Sequence, residues 1–245
     1  GMARKDRVAA AQAALAARLK TLPKVPWKDA EIEEHLARGY APYWLAFDTE
    51  TLQRHAEQVR AAERSKEPLS VVARVLPERA VTEVTVYAGD HPGLFARIAG
   101  ALAAAGANIV DARIFTTPQG MALDTLWIQD LSGAAYAEPH KLANLQRGIE
   151  DTLAGKVRTH QAIAERRRAK PVSDSFHVET RVLVNNQASA THTVIEINAR
   201  DRPGLLYDVT RALAAEGLQI STAKIATYGQ RAVDDRGQLA RHVAP

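Results

Sequence analysis

The sequence predicts an α+β protein: two small antiparallel sheets with helices on one face, the second cut short, behind a helical N-terminal segment. Three observations predict it. Asp90-His-Pro-Gly-Leu-Phe recurs as Asp201-Arg-Pro-Gly-Leu-Leu, 111 positions on, and the register holds without a gap from Asp90–Thr117 to Asp201–Tyr228. At each opening the hydrophobic period switches from two to 3.6. The 245 residues, 46% hydrophobic and 24% charged, suffice for two or three small cores and exclude collagen-like, low-complexity and coiled-rod classes.

The elements follow in order. Arg4–Leu19 is Ala-rich and helix-prone, and Asp29–Arg38 forms a short helix ahead of Gly39. Pro42-Tyr-Trp-Leu-Ala-Phe47 is an aromatic anchor, and Asp48–Ser65 reads as a third helix, so residues 1–67 make a helical segment. The first module spans 68–160. Arg74-Val75-Leu76 lies in a β-branched run just before the next strand and is expected to pair antiparallel beside it as an edge. In the next strand Val84 and Val86 alternate with Glu83, Thr85 and Tyr87, the period of a half-buried strand. Leu94, Ile98, Ala101, Leu102 and Ala105 then share one helical face, with Pro92 suited to the first turn and Gly106 ending the helix. Asn108–Thr117 and Met121–Asp130 are strands, and Pro139 precedes an amphipathic helix carrying Leu142, Leu145, Ile149 and Leu153.

Residues 161–175, with their Glu165–Lys170 charge cluster and Pro171, read as a solvated linker. The second module, 176–234, repeats the pattern: Arg181-Val182-Leu183, then Ile195 and Ile197, a helix from Leu205 to Gly217, and a strand from Gln219. After Asp234 the alternation stops. Residues 235–245 read as a tail without pattern, which leaves this module short of its last strand and helix. The abrupt change resembles a frame change or an artificial terminus, and the apolar surface so exposed implies a dimer.

Composition excludes several functions. There is no cysteine, which removes thiolate catalysis and sulfur-ligated zinc and suits a reducing cytoplasm. Basic residues number 32 against 28 acidic ones, too mild an excess for a nucleic-acid footprint despite Arg166-Arg167-Arg168, and no apolar run spans a membrane. The eight histidines are scattered without ligand spacing, and no His-Asp dipeptide, Asp-x-Asp pair or nucleophile elbow is present. No catalytic residue and no metal or cofactor is therefore assigned to this chain.

The repeated Asp-x-Pro-Gly turn has two readings. Asp90 and Asp201 can simply cap the helices that follow. Alternatively the bare backbone at Gly93 and Gly204 lets a ligand carboxylate reach the first-turn N–H groups, where the helix dipole favours negative charge by roughly 0.3–1 kcal/mol. Asn108 and Gln219 open the following strands and can offer amides to an amino-acid ligand, or can be plain loop residues.

Two copies of strand, Asp-x-Pro-Gly-Leu, helix, glycine and strand resemble ACT domains, ferredoxin-like modules that bind amino acids at paired interfaces. Pro42-Tyr-Trp-Leu-Ala-Phe-Asp48, Thr82–Tyr87, Asp90–Phe95, Ile109–Ile114 and Asp201–Val209 further resemble the C-terminal regulatory part of the bifunctional PII uridylyltransferase/uridylyl-removing enzyme family, from about Pro42 to Asp234. The resemblance implies a glutamine sensor for nitrogen signalling in the cytoplasm. It implies catalytic domains, which alone would need magnesium, or the PII protein as partners, and a homodimer rather than any nucleic acid or membrane. Its matching positions are Asp90, Gly93 and Leu94, with their partners Asp201, Gly204 and Leu205; the candidate ligand site adds the neighbours His91, Asn108 and Ile109, and Arg202, Gln219 and Ile220. A stand-alone ACT-repeat protein acting as an interaction or dimerisation module is the alternative.

Overall fold

The computed structural model describes residues 3–23, 26–157, 159–169, 179–189, 192–200, 202, 204–225 and 239–244. The chain divides into two compact units, one of Gly1–Ser70 with Tyr87–Gly89 and Phe115–Leu123, the other of Val71–Val86, Asp90–Ile114 and Asp124–Pro245.

Four helices build the first unit: α1 (Arg4–Lys20), α2 (Asp29–Leu36), α3 (Ala41–Ala46) and α4 (Thr49–Ser65). The α4 start is set by Asp48, whose carboxylate accepts the Thr51 N–H at 2.7 Å. The aromatic anchor is buried: Tyr43 and Trp44 pack with Leu15, Leu19, Leu52, Ala56 and Val59, joined by Tyr87 and Phe115. Two imidazoles lie inside this core. The His55 Nδ1 is 3.2 Å from the Tyr43 hydroxyl, and the His35 ring lies edge-on to Trp27 at 5.9 Å.

The second unit holds two four-stranded antiparallel sheets. The first contains β1 (Leu69–Leu76), β2 (Val81–Gly89), β3 (Asn108–Arg113) and β4 (Met121–Gln129), in the order β1-β2-β4-β3. The strand before the repeat thus takes the edge beside β2, as its spacing implies. Helices α5 (Leu94–Ala105) and α6 (Pro139–Leu153) pack together, and Val84, Val86, Ile98, Leu102, Leu126, Ile128 and Ile149 are fully buried. Each such side chain contributes about 1.5–3 kcal/mol. β2 departs from the half-buried expectation, because every residue from Val81 to Ala88 is buried, Glu83 and Thr85 included.

Helix α7 (Thr159–Ala169) corrects part of the expected linker: Ile163 is buried, and the helix packs on α5. One buried isoleucine on an Ala-containing stretch outweighs the charges that follow it. The second sheet contains β5 (Arg181–Asn185), β6 (Thr193–Asn198), β7 (Gln219–Ile225) and β8 (Leu239–Ala244), ordered β5-β6-β8-β7, with α8 (Leu205–Ala215) between β6 and β7. β8 corrects the expectation of a patternless tail and a missing strand. Ala240 pairs with Glu196 on one side and Lys224 on the other, so backbone ladders on both sides hold a segment whose sequence lacks alternation. At the opposite edge, Val182, Leu183 and Val184 of β5 remain 56–61% exposed.

The two modules meet along α5 and α8 and along the adjacent strands β3 and β7. The helices run antiparallel: Gly93 lies by Ala214, and Gly100 by Tyr207. A Cβ on Gly100 would fall 2.4 Å from the Thr159 methyl and 2.8 Å from Tyr207 Cδ2, so only glycine permits this crossing. Neither α5 nor α8 is a simple amphipathic surface helix. Phe95, Ala96 and Ala99 are buried along with the expected α5 face, because α6, α7 and α8 all contact α5.

Two predictions follow from this packing. Gly100→Ala should destabilise the protein by about 1–3 kcal/mol through overpacking, whereas Gly148→Ala, with nothing within 4 Å in the α6 interior, should stabilise it by about 0.5–1 kcal/mol; paired urea melts check the opposite signs. Burial holds His35 down to about 4 and His55 down to about 3, from 6.5 in an unfolded chain. Below pH 6.5 the unfolded state therefore binds more protons. Stability is then full above that pH and is lost progressively as pH falls from 6.5 towards the folded values. Between pH 7 and 5 each histidine should cost roughly 2 kcal/mol, measured by urea unfolding at the two pH values.

Candidate functional site between paired turns

Each module has a tight turn between its second strand and its helix. In the first, the Leu94 N–H donates to the His91 carbonyl at 3.1 Å, with Gly93 at φ 84°. Pro92 and Gly93 thus occupy the central positions of a type II turn, which needs a positive φ at the second. In the second module the Leu205 N–H donates to the Arg202 carbonyl at 3.0 Å, and Gly204 has φ 74°.

This corrects two local expectations. Gly93, not Asp90, is the N-cap of α5, and as a glycine it offers no capping side chain. Pro92 belongs to the turn before the cap rather than to the first helical turn. Asp201 lies outside the described residues.

The other candidates divide clearly. Asp90 and His91 are exposed, with the His91 ring 3.1 Å from the Pro92 carbonyl, while Leu94 and Ile109 are buried and serve the core. Asn108, Leu205 and Ile220 are half-buried, Gly204 is buried, and Gln219 is exposed. Arg202 is held by an ion pair of 2.6 Å to Asp208, in the first turn of α8.

The module interface brings several of these together. A Cβ on Gly93 would lie 3.9 Å from Ala214 Cβ, so the first turn faces the far end of α8, and Gln219 opens β7 five residues beyond that alanine. Asn108 and Ile109 lie on β3, Gln219 and Ile220 on β7, and these two strands run side by side. Both carry a register shift at the same place in the repeat, between Ile109 and Asp111 and between Ile220 and Thr222. Such bulges bend an edge strand and re-aim its side chains.

Sequence reasoning missed Gly100, Tyr207, Ala214 and the Arg202–Asp208 pair. A mid-helix glycine among alanines was the one available signal, since conformational preference disfavours it there. Two cavities lie in the helical unit. One, lined by Tyr43, Val59 and Phe115, has about 20 Å³, room for a single water. In the other, of about 190 Å³, Arg38 pairs with Glu34 and Glu63, and Arg64 with Glu31.

Residues 82–130 match the ACT domain family, and residues 181–236 match the ACR9-like, ACT-like domain family. The two matched segments fall on the two antiparallel sheets, one on each. Over most of its length the chain is similar to bifunctional uridylyltransferase/uridylyl-removing enzymes. It is 54% identical to that of Azospirillum brasilense over 93% of this chain and 24% of the relative. It is 50% identical to that of Gluconobacter oxydans over 84% and 22%, and 46% identical to that of Rhodospirillum rubrum over 95% and 24%. The chain spans about a quarter of the length of the relatives it matches. Among the described residues no helix is long and apolar enough to cross a membrane.

Because Gly93 sits in the left-handed region and a Cβ there would meet Ala214 only at ordinary contact distance, Gly93→Ala should cost about 1–2 kcal/mol from backbone strain alone. Gly89→Ala, with no positive φ and nothing within 4 Å, should leave stability within about 0.5 kcal/mol of the parent, as thermal melts of the two variants would show.

Proposed function

We propose that this chain is the regulatory region of a cytoplasmic PII uridylyltransferase/uridylyl-removing enzyme, and that its paired ACT domains bind free L-glutamine to control nitrogen signalling. The observation that carries the reading is the first turn: a helix N-terminus with glycine as its N-cap, close enough to the second module that a Cβ on Gly93 would lie 3.9 Å from Ala214 Cβ. The ligand carboxylate would meet the N–H groups at the start of α5, where the helix dipole favours it. Asp90 would face the ammonium group, and the Gln219 or Asn108 amide would read the side chain. The likeness to uridylyltransferases supports glutamine as the ligand, and PII or the catalytic domains as the partners that receive the signal. The chain is assigned no catalytic step, metal or cofactor of its own.

A second reading, an ACT-repeat interaction or dimerisation module, draws support from the exposed apolar β5 edge, since unprotected edges invite pairing. A homodimer is compatible with both readings. Isothermal titration with L-glutamine, L-glutamate and L-asparagine separates them. The sensor reading expects heat with glutamine and weaker or no binding of the other two; no heat with any of them leaves the interaction module.

A further inference from the structure

The cavity of about 190 Å³ in the helical unit is lined from α2 and α4, and its charges are sorted into two ion clusters. In one, Glu31 pairs with Arg64 at 2.7 Å and lies 3.9 Å from Arg60, so two guanidiniums share one carboxylate. In the other, Arg38 pairs with Glu34 at 2.8 Å and with Glu63, so two carboxylates share one guanidinium. His35 adds no charge at neutral pH, since burial holds it down to about 4. Glu57, which does not line the cavity, also acts on Arg60. Among the lining residues one cluster is thus in positive excess, the other in negative excess, and the sum is zero.

A second observation points to a ligand. Trp27 and His35 line the cavity and are more than nine-tenths buried, yet Trp27 Nε1 and His35 Nε2 have no hydrogen-bond partner among the described residues. A buried indole N–H can only donate, so it lacks an acceptor that the protein itself does not supply. Trp27 belongs with the positive cluster, because its ring lies 4.0 Å from the Arg60 guanidinium carbon. A carboxylate arriving there gains charge-assisted hydrogen bonds from the guanidiniums and an indole donor besides. An ammonium group at the other cluster meets Glu34 and Glu63, both of them exposed enough to receive it.

We propose that this cavity binds a small zwitterion, with its carboxylate at Trp27, Arg60 and Arg64 and its ammonium at Glu34 and Glu63. The volume is that of about six waters at roughly 30 Å³ each, which limits the ligand to the size of a small free amino acid. The site lies wholly within the helical unit and does not depend on the sensor reading of the paired turns.

The test follows the Trp27 indole N–H in 1H–15N spectra of the whole chain, assigned from the backbone of residue 27, during titration with L-alanine, propionate and ethylamine at matched ionic strength. The expected result is a saturable shift with L-alanine. Propionate and ethylamine, each of which leaves one cluster unanswered, should bind at least about tenfold more weakly. Arg64→Gln and Glu34→Gln change side chains that are 56% and 70% exposed, and each should weaken L-alanine about tenfold. Circular dichroism establishes that both variants are folded. No shift with any probe, a propionate or ethylamine response equal to that of L-alanine, or an unchanged titration in either variant would overturn the proposal.

Discussion

The close approach of α5 to α8 at Gly100 is the constraint on which the rest of the second unit depends. With hydrogen in place of a methyl, the Tyr207 ring and the Thr159 methyl occupy space that any other residue would claim. That contact seats α7 and α8 on α5, which α6 also packs against, and sets the two modules in antiparallel register. Because the register is antiparallel, the start of α5 lies at the end of α8. The first turn is then presented to the neighbouring module rather than to open solvent alone. The adjacent β3 and β7 edges, bulged at matching positions, follow the same pairing.

The repeat conserves backbone and varies charge. Positive φ at Gly93 and Gly204, and the same turn hydrogen bond, persist because only a left-handed residue closes a type II turn of this kind. The residue at the fourth position past the glycine carries no such geometric demand, so Arg97 and Asp208 can differ without disturbing the fold. Partly exposed ion pairs such as Arg202–Asp208 add little stability.

Much of this was legible in the sequence. The period switch at Asp90, the glycine closures, and the β-branched run before β2 foretold the strands, the helices and the edge position of β1. The aromatic run Tyr43–Phe47 foretold a buried anchor. β8 was not legible, because Leu239-Ala-Arg-His-Val-Ala244 lacks alternation and is placed by backbone pairing on both sides. Helix α7 was hidden by the charges after it, with Ile163 its one apolar anchor. Gly100 sat unremarked among alanines, since a close approach between helices leaves no local pattern. The Arg202–Asp208 contact crosses a turn, and only the folded turn brings its ends together.

The absence of cysteine from the chain allows a direct test of the module pairing. A Cβ at position 93 would lie 3.9 Å from that of residue 214, within the separation that disulfides adopt. The double variant Gly93→Cys, Ala214→Cys, oxidised at low protein concentration, should form an intramolecular bridge in most chains, seen as faster migration on non-reducing gels that reverts with reductant. Free thiols, or bridges only between chains, would contradict the antiparallel α5–α8 pairing on which the site is built.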